Sequence, residues 1–251
     1  MARFQNATIL ITGAASGIGA ATARLVAAEG ARRLILCDVD EDLLTETAYA
    51  IPCERRLLPG DVSNPRLWAE ADLSGLTHAV VNAGIAAGGP IDRTSLTEWR
   101  RVMAVNLDGG FLTLQAAMRP MQARGGAIVV TASAAALKAE PGGAAYAASK
   151  AALIQLARVA AREGAETGIR VNAIAPGGVE TPMWEDAPFF ADLVRRHGSE
   201  AAAYKAMASV ATPLGRFAKP EEIARQIAFL LSDDAAFMTG SSLVSDGGYS
   251  L

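Results

Sequence analysis

The first thirty residues change character abruptly. Ala7-Thr8-Ile9-Leu10-Ile11-Thr12 reads as a fully buried strand, and Gly13-Ala14-Ala15-Ser16-Gly17-Ile18-Gly19 follows it. A helical pattern then runs through Ala28. Strand, glycine turn and helix in that order suit a phosphate-binding unit. Glycines let the backbone approach a pyrophosphate, and a helix N-terminus offers unpaired N–H groups and a positive dipole end. The spacing is Gly-x-x-x-Gly-x-Gly rather than the Gly-x-Gly-x-x-Gly of many dinucleotide folds, so the turn alone also fits a plain tight turn.

The pattern repeats downstream. Arg33-Leu34-Ile35-Leu36-Cys37 forms a second strand ending at Asp38. That is about 20 residues beyond the turn, where an acid can hydrogen-bond an adenosine ribose. A carboxylate there accepts from the 2′- and 3′-hydroxyls and repels a 2′-phosphate, and neither Ser16 nor Val39 offers a cation. Asp38 is therefore read as the ribose ligand, with NAD preferred over NADP; a polar strand end, or a helix cap since Asp40, Glu41 and Asp42 follow, is the competing assignment. Further strands run through Arg56-Leu57-Leu58, His78 to Val81, Ala127 to Thr131, Ile169 to Ile174 and Leu243-Val244. A helical segment holds Trp99 to Gln115. Strands alternating with helices imply right-handed βαβ units. The expected architecture is a single α/β domain over 1–251, a Rossmann-type doubly wound parallel sheet of about seven strands with helices on both faces.

Composition narrows the function classes. A chain of 251 residues can bury one sizeable core, and 51% hydrophobic residues make it globular. A net charge of -3 without a basic run gives no nucleic-acid surface. No apolar stretch approaches the ~20 residues of a membrane span, and the N-terminus lacks a secretory signal. Cys37 and Cys53 read as reduced structural residues, and His78 and His197 lack metal-ligand spacing, so no metal site is expected. A cytoplasmic, soluble protein fits these features.

One further pair carries chemistry. Tyr146-Ala147-Ala148-Ser149-Lys150 opens an alanine-rich helix that runs to about Gly164. Positions four apart share a helix face, so the phenol and the ammonium can sit side by side. Tyrosine titrates near pH ~10, and a nearby cation lowers that value. Lowering it by roughly three units needs about 4 kcal/mol, part of it from the lysine and the rest from a positively charged cofactor ring. Alone, the same spacing also occurs on solvated helix faces.

Taken together, the motifs resemble the short-chain dehydrogenase/reductase superfamily from Thr8 to Gly248. The matching pieces are Thr12-Gly13 to Gly19, Asp61-Val62, Asn82-Ala83-Gly84, Asn106, Ser133, Tyr146-x-x-x-Lys150, Pro176-Gly177 with Thr181, and Asp246-Gly247-Gly248. The resemblance implies that Tyr146 is the acid–base, Ser133 orients the same substrate oxygen, Lys150 lowers the Tyr146 pKa and grips the nicotinamide ribose, and Asn106 holds a relay water. It implies further that Gly13, Ser16, Gly17, Ile18 and Gly19 cradle the pyrophosphate. Asp61 and Val62 would meet the adenine, Asn82, Ala83 and Gly84 would line the adenosine side, and Pro176, Gly177, Val179 and Thr181 would frame the nicotinamide. The activity implied is NAD(H)-dependent interconversion of a secondary alcohol and a ketone. A 3-oxoacyl-carrier-protein-type reductase using NADP(H) is the alternative, and a non-catalytic dinucleotide-binding regulator the third reading.

Two departures from the family pattern stand out. The chain between Asp61 and Asn82 is short, which predicts a helix truncated by about a turn, and Thr131-Ala132-Ser133 replaces a pair of serines. A substrate-covering lid is expected at about 182–213, where Met183, Trp184, Phe189, Phe190, Leu193 and Tyr204 suit a hydrophobic or cyclic alcohol or equally a packed lid. Arg195, Arg196, His197 and Lys205 either face water or recognise an anionic group. The resemblance also implies a homo-oligomer, tetramer or dimer, in which Ala147, Ala151 and Ala161 permit close helix packing.

Overall fold

A computed structural model describes residues 2–185 and 187–251; Met1 and Asp186, which fall within the expected domain and lid spans, lie outside the described residues. Seven strands form one sheet: β1 Thr8–Thr12, β2 Arg33–Asp38, β3 Glu54–Pro59, β4 His78–Val81, β5 Gly126–Thr131, β6 Ile169–Pro176 and β7 Ser242–Ser245. Their order is β3-β2-β1-β4-β5-β6-β7, and every pairing is parallel. The chain therefore reverses its direction of travel between β1 and β4. At such a switch point the connections after the two strands leave toward opposite faces and open a crevice beyond their carboxyl ends.

The near-continuous apolar runs of the strands follow from burial on both faces. Ile9, Ile11, Leu34, Leu36, Val80, Val129 and Ile174 share one core with Val26 of α1 (Gly17–Ala28), Leu44 of α2 (Glu41–Tyr49) and Ile223, Ile227 and Leu231 of α9 (Pro220–Leu231). The alternate residues Leu10, Ile35, Val81, Ile128, Val130 and Val171 face the other way. There they meet Leu114 and Met121 of α5 (Gly109–Met121) and Leu153 and Ala157 of α6 (Ala144–Gly164).

Local chemistry sets the helix starts. Asp40 accepts from the Leu43 amide at 3.0 Å and caps α2, so the capping role considered for Asp38 belongs to its neighbour. Asn64 caps the six-residue α3 (Pro65–Glu70), whose first position is proline. This helix is the short one expected between Asp61 and Asn82. The segment read as one helix around Trp99 to Gln115 is α4 (Leu96–Met103) and α5, joined by a wider π turn over Ala104–Asp108. Such turns distort a helix locally and recur at functional sites. Asn106 lies in it, fully buried.

The segment after β6 carries α7 (Pro188–His197) and α8 (Glu200–Ala211). These helices form a satellite core of Phe190, Ala203, Tyr204 and Ala208 with Phe217, and Trp184 stacks on Phe217 at 5.7 Å. Most of the aromatic residues weighed as a substrate wall are therefore packing. Met183 and Phe189 remain exposed, at 39% and 49%, as does Val210 near the end of α8. Arg195, Arg196, His197 and Lys205 face solvent. Of the three alanines considered for close packing between copies, Ala161 is buried in its own subunit's core, and Ala147 and Ala151 stay accessible.

Candidate active site and cofactor cleft

The glycine turn crosses the carboxyl end of β1. Gly13 and Gly17 hold φ of +65° and +52°, the left-handed region where a side chain is strained. A Cβ on Gly19 would lie 1.9 Å from the Gly13 carbonyl oxygen, so the first turn of α1 can approach β1 only with glycine there. Ser16 occupies the cap position of α1, and its hydroxyl makes no capping bond. Ile18 packs against the neighbouring core. Across the cleft, a Cβ on Gly17 would lie 3.1 Å from the Thr181 methyl, which places Thr181 opposite the turn.

Side chains from three strands hold the turn. The Asn82 amide nitrogen donates to the carbonyls of Thr12 at 3.0 Å and Gly13 at 3.4 Å. The Thr12 hydroxyl accepts from the Asn82 and Ala83 backbone amides at 2.9 and 3.1 Å. Asn82 thus serves the shape of the turn as well as the position expected for it. Asp38, at the end of β2, accepts from the Ala15 amide at 2.9 Å through one oxygen and from the Asp40 amide at 3.2 Å through the other. A carboxylate therefore stands beside the turn between the neutral Ser16 and Val39. Asp61 lies at the end of the next strand and accepts both the amide and the hydroxyl of Ser63 at 2.8 Å. Val62 is buried and packs against Gly109.

Beyond β6, Pro176 and Gly177 turn toward β7; the Gly177 amide donates to the Ser245 carbonyl at 3.0 Å. Val179 is buried, and its carbonyl accepts from the Trp184 indole at 2.8 Å. The Tyr204 hydroxyl donates to the Thr181 carbonyl at 3.2 Å, tying α8 to the same wall.

Tyr146 and Lys150 lie one turn apart near the start of α6. The Lys150 ammonium is 5.7 Å from the Tyr146 ring centre and donates to the Thr131 carbonyl at 3.0 Å. Lys150 is only 3% exposed, and burial pushes it down to about 8. Ser133 follows β5, and its hydroxyl, which accepts from the Ala135 amide at 3.2 Å, lies near enough to the Tyr146 phenol to favour its ionised form. The phenol itself titrates above its ordinary value, because burial raises it more than the neighbouring Ser133 hydroxyl lowers it. Within the protein alone burial dominates, and the ammonium expected to supply part of the depression donates to the Thr131 carbonyl.

Asn106 joins the constellation from below. Its oxygen accepts from the Ile85 amide at 2.8 Å, and its nitrogen donates to the Ile85 carbonyl and the Ser149 hydroxyl, both at 3.0 Å. Ser149 in turn donates to the Tyr146 carbonyl at 2.7 Å. The oxygen of Asn106 and the ammonium of Lys150 each lie 3.2 Å from the point where a Gly84 Cβ would sit, so the two groups flank Gly84. Sequence reasoning passed over Ser149 although it stands inside the Tyr146–Lys150 motif. Its only signal was position: three residues after Tyr146 puts it one turn along the same side of the helix, where it meets Asn106 of the π turn.

All the site residues singled out in the sequence gather at the carboxyl ends of the strands. The loop carrying Gly89 and the loop carrying Gly142 are joined by an amide–carbonyl bond of 2.8 Å. Cys37 and Cys53 are both free thiols, and burial pushes Cys37 up to about 12. No helix among the described residues is long and apolar enough to cross a membrane.

The comparisons with known proteins agree with this geometry. Residues 13–250 match the family model described as Enoyl-(Acyl carrier protein) reductase. The chain is 38% identical over 256 residues to the cis-4-hydroxycyclohexanecarboxylate dehydrogenase of Sinomonas cyclohexanicum, an alignment covering 98% of this chain and 97% of that protein. Among solved structures, levodione reductase superposes with a TM-score of 0.88 at 34% identity, covering 99% of each chain. A short-chain type dehydrogenase/reductase from Mycobacterium marinum gives 0.87 at 32% identity, covering 99% of this chain and 97% of that one. With this sheet, this cleft and relatives matched over nearly its whole length, the chain belongs to the short-chain dehydrogenase/reductase family of oxidoreductases.

Proposed function

We propose that the protein interconverts a secondary alcohol and a ketone with NAD(H), Tyr146 acting as acid–base at the substrate oxygen. The observation that carries this reading is the Tyr146–Lys150 pair, with the buried ammonium 5.7 Å from the ring centre and anchored on the Thr131 carbonyl two residues before Ser133, in a cleft whose other wall is the glycine turn. Such a cleft fits a nicotinamide dinucleotide: Gly13, Ser16, Gly17, Ile18 and Gly19 would hold the pyrophosphate, and Asp38 the adenosine ribose. Asp61 and Val62 would meet the adenine, Asn82, Ala83 and Gly84 would line the adenosine side, and Pro176, Gly177, Val179 and Thr181 the nicotinamide side. When bound, the dinucleotide supplies the hydride acceptor or donor.

The protein's own residues handle the oxygen and its proton. Ser133 donates to the substrate oxygen and holds it beside the phenol, an orienting role. Tyr146 removes the hydroxyl proton in oxidation and returns it in reduction. Lys150, positively charged near neutrality, favours the phenolate that forms during oxidation. Asn106 keeps one acceptor lone pair beyond its three bonds, enough to hold a relay water next to Lys150.

NAD is preferred because the Asp38 carboxylate repels a 2′-phosphate. The segment 182–213 acts as the substrate-covering lid of a single domain over 1–251, and the exposed Met183 and Phe189 favour a hydrophobic or cyclic substrate. The name of the Sinomonas relative points to the same class. A second reading, an acyl-carrier-type reductase, draws on the description of the matching family model and on the exposed cations Arg195, Arg196 and Lys205, which suit a phosphorylated carrier arm. Turnover of a panel of cyclic, aromatic, sugar-like and acyl-thioester alcohols and ketones, each with NAD(H) and NADP(H), distinguishes the two. A preference for an acyl thioester with NADPH would overturn the first.

The protein works in the cytoplasm as a homo-oligomer, a tetramer or a dimer. Phe111 on α5, Val159 on α6 and Val244 on the edge strand β7 are large apolar residues more than two-fifths exposed, as faces awaiting another copy would be. Light scattering at several concentrations checks this, and a mass of 26.0 kDa at all of them would refute it.

A further inference from the structure

The C-terminal Asp246-Gly247-Gly248 plays no part in the chemistry above, and it builds a brace. Asp246 accepts from the backbone amides of Gly248 at 2.9 Å and Ser250 at 2.8 Å, which folds the last residues into a hook. The hook meets the rim of the site in three places. Next to β6, a Cβ on Gly177 would lie 2.8 Å from the Asp246 Cα. At the base of the lid, the Leu214 amide donates to the Gly247 carbonyl at 3.1 Å, and Gly248 lies against Pro213.

The third contact reaches the turn after Ser133. The Lys138 ammonium donates to the Tyr249 carbonyl at 2.8 Å and sits 4.4 Å from the centre of its ring. Glu140 lies 3.8 Å from the same ammonium. The turn itself is short. The Ala135 amide donates to the Ser133 hydroxyl at 3.2 Å, and the Ala136 amide to the Ser133 carbonyl at 3.0 Å. The Leu137 and Lys138 amides both donate to the Ala134 carbonyl, at 2.9 and 3.0 Å. One end of this turn is fixed by β5, and the other is fixed across 111 residues of sequence by Lys138.

We propose that Lys138 and Tyr249 form a positioning contact that holds the Ser133 turn against the C-terminal hook and thereby aims the Ser133 hydroxyl into the site. A cation placed on both a carbonyl and an aromatic face resists rotation more than a plain surface ion pair does. Because the same hook carries the base of the lid, the contact also sets how far the lid stands from Ser133. The role given to Ser133 rests on the proposed function; the restraint on its turn does not.

Two measurements on wild type, Lys138→Met, Lys138→Arg and Tyr249→Ala test the proposal and keep its failure apart from failure of the activity. In amide hydrogen exchange, the amides of 135–138 should exchange about tenfold faster in Lys138→Met and Tyr249→Ala, with β5 unchanged and Lys138→Arg close to wild type. In steady-state kinetics with NAD+ and the alcohol of the panel above that wild type oxidises fastest, kcat should fall about tenfold in the same two variants while the KM for NAD+ stays within about twofold, with Lys138→Arg again restoring it. Unaltered exchange over 135–138 overturns the proposal. So does faster exchange without any change in kcat, or a lowered melting temperature with kinetics untouched. If wild type turns over no alcohol with either cofactor, the proposed function falls, and the exchange result still decides whether Lys138 restrains the turn.

Discussion

At the scale of single residues, the proton chemistry depends on which groups face Tyr146. The protein by itself raises the phenol through burial and holds Lys150 at about 8, so near neutral pH the resting pair is a phenol beside an ammonium. Oxidation needs the phenolate and reduction the phenol. The rate of alcohol oxidation should therefore rise with pH, and the rate of ketone reduction should fall as pH rises through the same range. Replacing Lys150 by methionine removes the charge that favours the phenolate, and the oxidation profile should move to higher pH; overlapping profiles would take the lysine out of the mechanism. Tyr146→Phe should lower kcat by at least ~10²-fold while fluorescence titration still shows NADH binding. Asp38 is a different case, because it both faces the ribose side and accepts the Ala15 amide. Asp38→Ala should raise the KM for NAD+ about tenfold and narrow the preference over NADP+, at ~1.4 kcal/mol for each factor of ten. Kinetics with both cofactors check it, and an unchanged ratio would remove the ribose assignment.

Among the elements, the glycine turn and α1 depend on one close approach. Gly19→Ala places a methyl group 1.9 Å from the Gly13 carbonyl, a backbone atom that cannot rotate away. The helix must shift, at a cost of roughly 1–3 kcal/mol typical of overpacking, and the cradle opens. Thermal unfolding should show a lowered midpoint, and calorimetry a loss of NADH binding. Gly198→Ala is the contrasting control: Gly198 has a left-handed φ of +85°, which Gly19 lacks, but a Cβ there meets nothing within 4 Å, so cofactor binding should survive whatever the change in stability. Elements of this kind were legible in the sequence because local chemistry dictates them. Apolar runs of strand length, glycines between strand and helix, and the four-residue step from Tyr146 to Lys150 require no knowledge of distant contacts. What escaped reading depends on the tertiary structure. The π turn at Asn106 lies within a continuous helical pattern and is stabilised by Ile85 and Ser149, which lie 21 and 43 residues away. Likewise, whether Phe190 and Tyr204 line a cleft or pack together depends on Phe217, which closes their cluster from beyond α8.

For the whole molecule, catalysis and acid stability are placed at opposite ends of the sheet. The cleft lies at the carboxyl ends of the strands, whereas His78 opens β4 at the amino end. Its ring meets the edge of Phe4 at 5.6 Å, and Nδ1 lies 2.8 Å from the Thr77 hydroxyl. Burial pushes His78 down to about 4, the Arg170 charge adds to that, and Asp233 opposes it weakly. The folded pKa is thus below the ordinary 6.5, so between those values the unfolded chain takes up a proton that the folded chain refuses. The stability tied to His78 is complete above about pH 6.5 and is lost as pH falls toward 4, with a ceiling of roughly 3 kcal/mol at ~1.36 kcal/mol per pKa unit. Carboxylates with lowered values act in a different window: Glu222, held at about 2 first by Arg216 and then by the Lys219 amide, releases its contribution only below its ordinary 4.5. Urea unfolding at several pH values between about 7 and 4.5 therefore isolates the histidine. Wild type should lose stability across that interval, and His78→Gln should flatten the loss while leaving kcat unchanged, since the catalytic groups lie past the other end of the strands. If wild type and variant lose stability in parallel, the acid sensitivity of the fold originates elsewhere than at His78.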